Sequence, residues 1–183
     1  KEDFLYEDFD AVFNLIKDLQ LDNKGTATSD YQIKVKGTVY MDVESETTLV
    51  YITDGKNFIK LHGQKMHNYT NPGNVYVVLC YYKAYLYQPT LEVIDPANDI
   101  KISASSTPVT EIQVKEVTLA EILEMKKEDF VSNINNGYLQ SMLKITGYLQ
   151  IDTHNSNKYD YCLTVGEKYS KNDTGYIKNG LYF

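Results

Sequence analysis

Four side chains on two neighbouring predicted strands have the types and spacing of a surface that binds flat rings. The alternation of residues 48–53 places Val50 and Ile52 on one face of a strand and Tyr51 on the other. The side chains of the next strand that would share the face of Tyr51 are Phe58, Lys60 and His62. Aromatic rings beside a cation stack on single-stranded bases, which is the chemistry these residues could perform. The alternative is that Tyr51 and Phe58 are ordinary sheet residues packed beneath a helix or a neighbouring domain.

A second aromatic group lies in the stretch 75–87, close to the predicted turn at 88–90. Its members are Tyr81, Tyr82, Tyr85 and Tyr87. Such a ladder could stack on bases or on sugar rings, so we predict that Tyr85 and Tyr87 belong to the ligand site. Packing between neighbouring strands is the competing interpretation.

No catalytic or metal-binding pattern accompanies these aromatic residues. The three histidines are His62, His67 and His154, and none has a cysteine at metal-ligand spacing. The two cysteines, Cys80 and Cys162, are predicted to be free buried thiols. Neither a G-x-S-x-G turn nor a glycine-rich phosphate loop is present in the sequence. We therefore expect a chain that is not an enzyme and that uses no metal and no cofactor.

The charge of the chain narrows the classes of ligand. Its 183 residues carry a formal net charge of −7, and all 18 basic residues are lysines. A negative chain opposes nonspecific binding to a polyanion, and arginine, the usual bidentate reader of phosphate and guanine, is absent. Both features favour protein or sugar partners. The longest apolar run, residues 75–82, is too short to cross a bilayer, so no membrane span is predicted.

The elements that must position the aromatic side chains are a helix and five strands. Residues 3–21 are predicted to form an amphipathic helix that is capped by Asp8 or Asp10 and ended by Gly25, with residues 26–30 as a polar loop. Gly37 lies on the apolar phase of the first strand and is predicted to bend it. The predicted strands are 33–43, 48–53, 58–61, 75–87 and 91–94, with an Asp54-Gly55 hairpin turn after the second.

Part of this pattern recurs later in the chain. Residues 146–152 align with 36–42 at an offset of 110, and 161–166 align with 50–55 at an offset of 111. Upstream, Leu119 aligns with Val12 at an offset of 107, in a helix that a Thr-x-x-Glu capping box predicts for residues 119–127. The shared glycine and the helix before each copy favour an internal duplication. The alternative is a chance likeness between strands.

Five short strands, a glycine bend in the first and an Asp-Gly turn after the second resemble the OB-fold, a five-stranded Greek-key barrel. The resemblance lies in residues 35–39, 51–55, 73–77 and 87–91. In these residues the chain is similar to the nucleic-acid-binding OB-fold domains of secreted bacterial nucleases and cell-surface lipoproteins. The resemblance implies a mainly β fold with short helices. In it, an OB-fold barrel is followed by a second, incomplete OB-like copy, and each copy is preceded by a helix.

The predicted domains follow from the repeat. They are residues 1–103, with the helix and the first barrel, a linker over 104–117, and residues 118–183, with the second helix and a partial barrel. Counterparts of residues 75–94 are missing from the second copy, so its apolar face and strand edges would be exposed. We expect residues 109–117 to pair with the second sheet as an edge strand, and residues near Phe183 to form its third strand.

The leading functional hypothesis is a non-catalytic OB-fold binding module whose ligand is single-stranded nucleic acid or an oligosaccharide. The alternatives are a structural or protein-interaction module of a bacterial surface protein, and an accessory domain of an extracellular nuclease. The resemblance implies an extracellular or cell-surface location, and the oligomeric state stays open. The predicted ligand-binding residues are Tyr51, Phe58, Lys60, His62, Tyr85 and Tyr87.

Overall fold

A computed structural model describes residues 6–44, 47–153 and 160–183, and the chain divides into two compact units. The first unit contains residues 1–113 and 127–142, and the second contains residues 114–126 and 143–183. This division differs from the predicted one, because residues 127–142 return to the first unit after the chain has entered the second. The mainly β fold class is confirmed.

Short helices accompany eleven strands in the described residues. The helices are α1 (Phe9–Lys17), α2 (Pro96–Asp99), α3 (Leu119–Leu123) and α4 (Phe130–Asn135), with 3-10 turns at Met66–Asn68 and Lys127–Asp129. The strands are β1 (Ala27–Glu44), β2 (Thr47–Thr53), β3 (Phe58–His62), β4 (Val75–Tyr85), β5 (Gln88–Glu92), β6 (Ile100–Ile102), β7 (Val114–Thr118), β8 (Met142–Thr146), β9 (Tyr148–Asp152), β10 (Asp160–Thr164) and β11 (Leu181–Tyr182).

The first five strands pair in a closed ring. Their order is β1-β2-β3-β5-β4, and β4 also pairs with β1. All neighbours run antiparallel except β3 and β5, which are parallel. β6 adds to the ring beside β4. Every ring strand therefore has a partner on both sides for part of its length.

Gly37 marks the point where β1 changes partner. Residues up to Thr38 pair with β4, and residues from Thr38 onward pair with β2, so the two pairings overlap next to Gly37. A Cβ atom at Gly37 would lie 3.1 Å from each of three groups, namely Ile52 Cβ, Phe9 Cζ and the carbonyl oxygen of Thr53. The glycine therefore permits the close approach of β2 and α1 to the bend.

The predicted polar loop at 26–30 is wrong, because β1 already begins at Ala27. Ala27 pairs with Ala84, and the register then shifts between Thr28 and Gln32. A bulge of this kind interrupts the alternation of side chains without ending the strand, so the sequence pattern concealed it.

The core of the first unit lies inside the ring and beneath α1. Val35, Val39, Val50 and Ile52, which were predicted to share one core, do so and are at most 2% exposed. The buried face of α1 consists of Phe9, Val12, Phe13 and Ile16.

Helix α1 is shorter than predicted. Asp8 caps it, because its Oδ1 accepts a hydrogen bond of 2.7 Å from the Ala11 amide. It ends at Lys17, and predicted residues 3–5 lie outside the described residues. Gly25 serves a separate turn: it has φ +75°, and Asp22 Oδ1 accepts from the Lys24 and Thr26 amides at 2.8 and 2.9 Å.

Residues 127–142 belong to the first unit because they supply part of its core. Phe130 and Ile134 of α4 are 3% exposed and join the cluster beneath α1. The carbonyl oxygen of Gln140 accepts a 2.7 Å hydrogen bond from the Phe58 amide at the start of β3. This segment therefore both fills the core and holds one end of β3.

The second unit contains a three-stranded sheet of β9, β10 and β11 and a two-stranded sheet of β7 and β8. The predicted capping box of Thr118 and Glu121 is present, although α3 ends at Leu123. The predicted strand near the end of the sequence is β11. The sequence also predicts strands at 141–151 and 158–165. Gly147 divides the first of these into β8 and β9, and β10 covers residues 160–164 of the second, whose residues 158–159 lie outside the described residues.

Only part of the predicted edge strand at 109–117 pairs with β8. Residues 114–118 form β7, whereas Val109 and Gln113 belong to the first unit and are hydrogen-bonded to its turns and strands. The Val109 amide donates to Thr38 Oγ1 at 2.9 Å, and the Gln113 amide donates to the Gly55 carbonyl oxygen at 2.7 Å.

Candidate ligand-binding face

Outward side chains of neighbouring strands form one row across the ring. Tyr40 of β1 lies opposite Tyr51 of β2, and Tyr51 lies opposite Lys60 of β3. The row continues through Thr90 of β5 to Lys83 of β4. We call these five residues the tyrosine–lysine row. It lies outside the ring because the flanking positions on the same strands, such as Ile52 and Ile59, are buried in the core.

The accessible part of the row is at its β1–β3 end. Tyr40 is 38% exposed, and Tyr51 and Lys60 are half-buried. Thr90 is buried, and the Lys83 side chain is only 12% exposed. Two tyrosine rings and one ammonium group therefore offer a mixed aromatic and cationic surface on adjacent strands, which suits stacked rings beside a negative or polar group.

Phe58 supports this surface from the side. Its ring meets the Tyr40 ring edge-on, with centroids 5.6 Å apart and an interplanar angle of 84°. Phe58 is 9% exposed, so it orients Tyr40 rather than presenting a face of its own.

His62 is the next outward-facing residue of β3 after Lys60, and it lies beside an acidic residue of β5. It lies opposite Glu92 of β5, with His62 Nδ1 4.0 Å from Glu92 Oε1. The same oxygen lies 3.5 Å from Lys83 Nζ, and this ammonium is 5.3 Å from the centre of the Tyr85 ring. Tyr85 is 54% exposed. Glu92 therefore offsets the charge of Lys83 at this end, where Tyr85 joins the face.

The other tyrosines of the second aromatic group occupy three different environments. Tyr82 points into the core, and its ring meets Tyr31 edge-on at 5.6 Å. Tyr87 has φ +64°, donates its amide to the Gly25 carbonyl oxygen at 2.9 Å and packs its ring on Gly25. Tyr81 lies opposite Glu92 on the outer side of β4. The predicted ligand residue Tyr87 is thus placed in a turn, away from the tyrosine–lysine row.

Sequence reasoning missed Tyr40, Lys83 and Glu92. Tyr40 could have been found, because a hairpin register that aligns Val39 with Ile52 also aligns Tyr40 with Tyr51. Lys83 and Glu92 are brought to the face by the β3–β5 and β4–β5 pairings, of which the parallel one has no local signal in the sequence.

The cysteines and histidines form no metal site in the described parts of the chain, where no group of three or more His, Cys, Asp or Glu side chains could hold an ion. Cys80 and Cys162 are free and buried, as predicted. Burial, and secondarily the charge of Asp99, raises the pKa of the Cys80 thiol to about 12, so this thiol stays protonated at neutral pH. His67 lies in the 3-10 turn after β3, and His154 is outside the described residues. No helix among the described residues is long and apolar enough to cross a membrane.

Comparison with family models and with curated proteins identifies no family for this chain. No family model matches the chain, and no curated protein matches it significantly.

Proposed function

We propose that this chain is a non-catalytic binding module of the OB type and that its ligand lies on the tyrosine–lysine row. The observation that carries the proposal is the register that aligns Tyr40, Tyr51 and Lys60 across three strands. The order of the ring strands, closed by β1–β4 pairing, supports an OB-type Greek-key barrel. The ligand face of such barrels is the outer side of strands two and three, which is where Tyr51 and Lys60 lie.

Single-stranded nucleic acid is the first candidate ligand. The three accessible side chains span two strand spacings, roughly 10 Å, which is room for consecutive stacked bases. Lys60 stands beside Tyr51 and can pair with a phosphate. The module would act on or outside a bacterial cell, as the resemblance to secreted and surface OB domains suggests.

An oligosaccharide is the second candidate, and the position of Glu92 favours it. Its carboxylate lies 3.5 Å from Lys83 Nζ and reduces the positive potential of the face. A neutral sugar needs no such potential, can stack on the tyrosine rings and can donate hydroxyl groups to a carboxylate. The net charge of −7 favours the same class. If neither ligand binds, a protein-interaction module or an accessory domain of a nuclease remains as the alternative.

Removal of the Tyr51 ring should weaken ligand binding. We expect Tyr51→Ala to reduce the affinity for labelled oligothymidylate by about 1–3 kcal/mol, the usual loss for one stacked base. Phe58→Ala should reduce the affinity by a similar amount, because Tyr40 loses the ring that orients it. Titrations at low and moderate salt measure the affinity, and a neutral hexasaccharide forms the second arm. Tyr69→Ala is the matched control, since Tyr69 is 43% exposed and lies outside the row. Failure of the wild type to bind either probe at low salt would refute the proposed ligands.

We also propose that the second unit is an incomplete copy of the first. Tyr148 pairs with Thr164 as Thr38 pairs with Thr53, which follows the offsets of 110 and 111. The surroundings of the two glycines match as well. A Cβ atom at Gly147 would lie 3.0 Å from the Thr164 carbonyl oxygen, 3.1 Å from Leu119 Cδ2 and 3.3 Å from Leu163 Cβ.

These three neighbours are the counterparts of the groups around Gly37. Thr164 corresponds to Thr53, Leu163 to Ile52, and Leu119 to Phe9, the first residue of α1 after its cap. The helix caps, Asp8 and Thr118, are themselves 110 residues apart. The helices therefore align at the same offset as the first strands, and the offset of 107 expected for them is replaced by 110.

The two glycines should respond alike to substitution. We expect Gly37→Ala and Gly147→Ala each to lower the free energy of unfolding of its own unit by about 1–3 kcal/mol, because the added methyl group overpacks the bend. Amide exchange within each unit measures the loss. Gly166→Ala is the control, since its nearest neighbour would be 3.6 Å away. A large loss in one unit with none in the other would argue against the duplication.

A further inference from the structure

The second unit buries the side of its sheet that corresponds to the ligand face of the first. In the proposed repeat, Gln150 stands at the position of Tyr40 and Cys162 at that of Tyr51. Cys162 is 0% exposed. On the opposite side, Leu149 is 60% exposed at the position of Val39, which is 2% exposed in the first unit. Burial is thus reversed between the two sheets.

The segment that covers this face is the connection between β10 and β11, residues 165–180. The equivalent connection in the first unit is the short turn at 54–57. In the second unit Ile177 of the connection is 3% exposed. Gly180 packs so closely on Cys162 that a Cβ atom there would overlap the sulfur. The connection therefore lies directly on the residue that corresponds to Tyr51.

Hydrogen bonds hold the connection at several points along its length. Gln150 Nε2 donates to the Glu167 carbonyl oxygen at 3.1 Å. Farther on, the Tyr182 hydroxyl donates to Asp152 Oδ2 and accepts from the Ile177 amide at 2.8 Å. Lys171 Nζ lies 3.7 Å from Asp152 Oδ1. Asp152 is 1% exposed, so its carboxylate is buried beneath the connection, whereas the Gln150–Glu167 hydrogen bond and the Lys171 ammonium group lie at the surface.

We propose that residues 165–180 are a built-in occupant of the second ligand face, so that the chain binds ligand on its first unit only. This inference rests on the proposed function and on the repeat. The residue types agree with it: a tyrosine at position 162 would overlap Gly180, and the positions of Tyr40 and Tyr51 are taken by the amide of Gln150 and the thiol of Cys162. Tyr182 stands where Lys60 stands in the first unit, and its hydroxyl is engaged by Asp152.

The accessibility of the same repeat position in the two units can be compared by the reaction rate of a thiol, and this measurement needs no ligand. In the variant Tyr51→Cys a thiol is placed on the outer face of the first unit, and Cys162 is its natural counterpart. We expect the new thiol to react with a disulfide reagent on the order of 100-fold faster than Cys162, because Cys162 reacts only after a local opening. Peptide mapping assigns the modified residue and separates both from buried Cys80. Equal rates at the two positions would overturn the proposal.

A second variant tests directly whether residues 165–180 are what protects Cys162. Replacing residues 165–180 with the four-residue turn 54–57 should raise the reactivity of Cys162 to that of an exposed thiol, and unchanged protection would overturn the proposal. Binding of oligothymidylate by native mass spectrometry then gives the stoichiometry. One equivalent per chain supports the inference, and two equivalents overturn it. If no probe binds, the proposed function fails, while the thiol rates still decide whether the connection is a permanent cover.

Discussion

Replacing Ile52 with alanine is expected to lower the free energy of unfolding of the first unit by about 2–5 kcal/mol. Ile52 is 0% exposed, pairs with Val39 on one side and Ile59 on the other, and its Cβ meets the bend at Gly37. The substitution removes buried methyl groups at a point where the ring cannot collapse onto the space. Because a domain is stable by only about 5–15 kcal/mol, the loss should be readily measured in urea.

The chain offers a matched control on the adjoining strand. Val43 lies on β1 and is 71% exposed, so Val43→Ala should change the free energy by no more than about 0.5 kcal/mol. Since the chain has two compact units, the transition of the first unit should be followed by amide protection within the ring. Equal stability of the two variants would mean that the ring does not enclose the core described above.

Features of the fold that depend on neighbouring residues were predictable from the sequence. The β2–β3 hairpin is an example. The Asp54-Gly55 signal corresponds to a turn in which Asp54 Oδ1 accepts from the Lys56 and Asn57 amides at 3.0 and 2.7 Å, and Gly55 has φ +96°. Alternation then determines the face of Tyr51 and Lys60, because a register error would expose Val50 and Ile52.

Features that depend on distant segments were not predictable in this way. The return of residues 127–142 to the first unit depends on Phe130 and Ile134 meeting α1, and nothing in their local pattern says which apolar surface they will cover. The tyrosines near β5 show the same limit. Tyr85 ends β4, and the turn that follows has positive φ at Leu86 and Tyr87, neither of which is glycine. The predicted turn at 88–90 is therefore wrong: the turn lies at residues 86–87, Tyr87 is in it and not in the preceding strand, and β5 begins at Gln88 and not at residue 91.

Removal of the Tyr182 hydroxyl should destabilise the second unit more than neutralisation of Asp152. Tyr182→Phe leaves a buried carboxylate without its hydroxyl donor and the Ile177 amide without its acceptor, at a cost of about 3 kcal/mol. Asp152→Asn removes the charge but keeps an oxygen that accepts from the hydroxyl, so about 1 kcal/mol is expected. Amide exchange in β9 and β10 measures both losses. A larger loss for Asp152→Asn than for Tyr182→Phe would contradict this assignment.

The same hydroxyl should give the second unit a characteristic alkaline transition. Burial, and next the hydrogen bond to Asp152, raises the pKa of Tyr182 from 10.0 to about 12. A group whose pKa is raised by folding stabilises the fold in its protonated form. Its contribution is therefore complete below pH 10 and is lost as the pH rises towards 12.

Tyr182→Phe should remove this part of the pH dependence in the second unit and leave that of the first unchanged. Tyr82 provides the control, because it lies in the first unit and its pKa is also raised to about 12, mainly by burial. Tyr82→Phe should accordingly reduce the alkaline loss of the first unit, where the Cys80 thiol still contributes, and leave that of the second unchanged. Unfolding followed by amide exchange below and above pH 10, together with phenolate absorbance, distinguishes the two. An unchanged alkaline slope of the second unit in Tyr182→Phe would show that the hydroxyl does not hold the connection on the sheet.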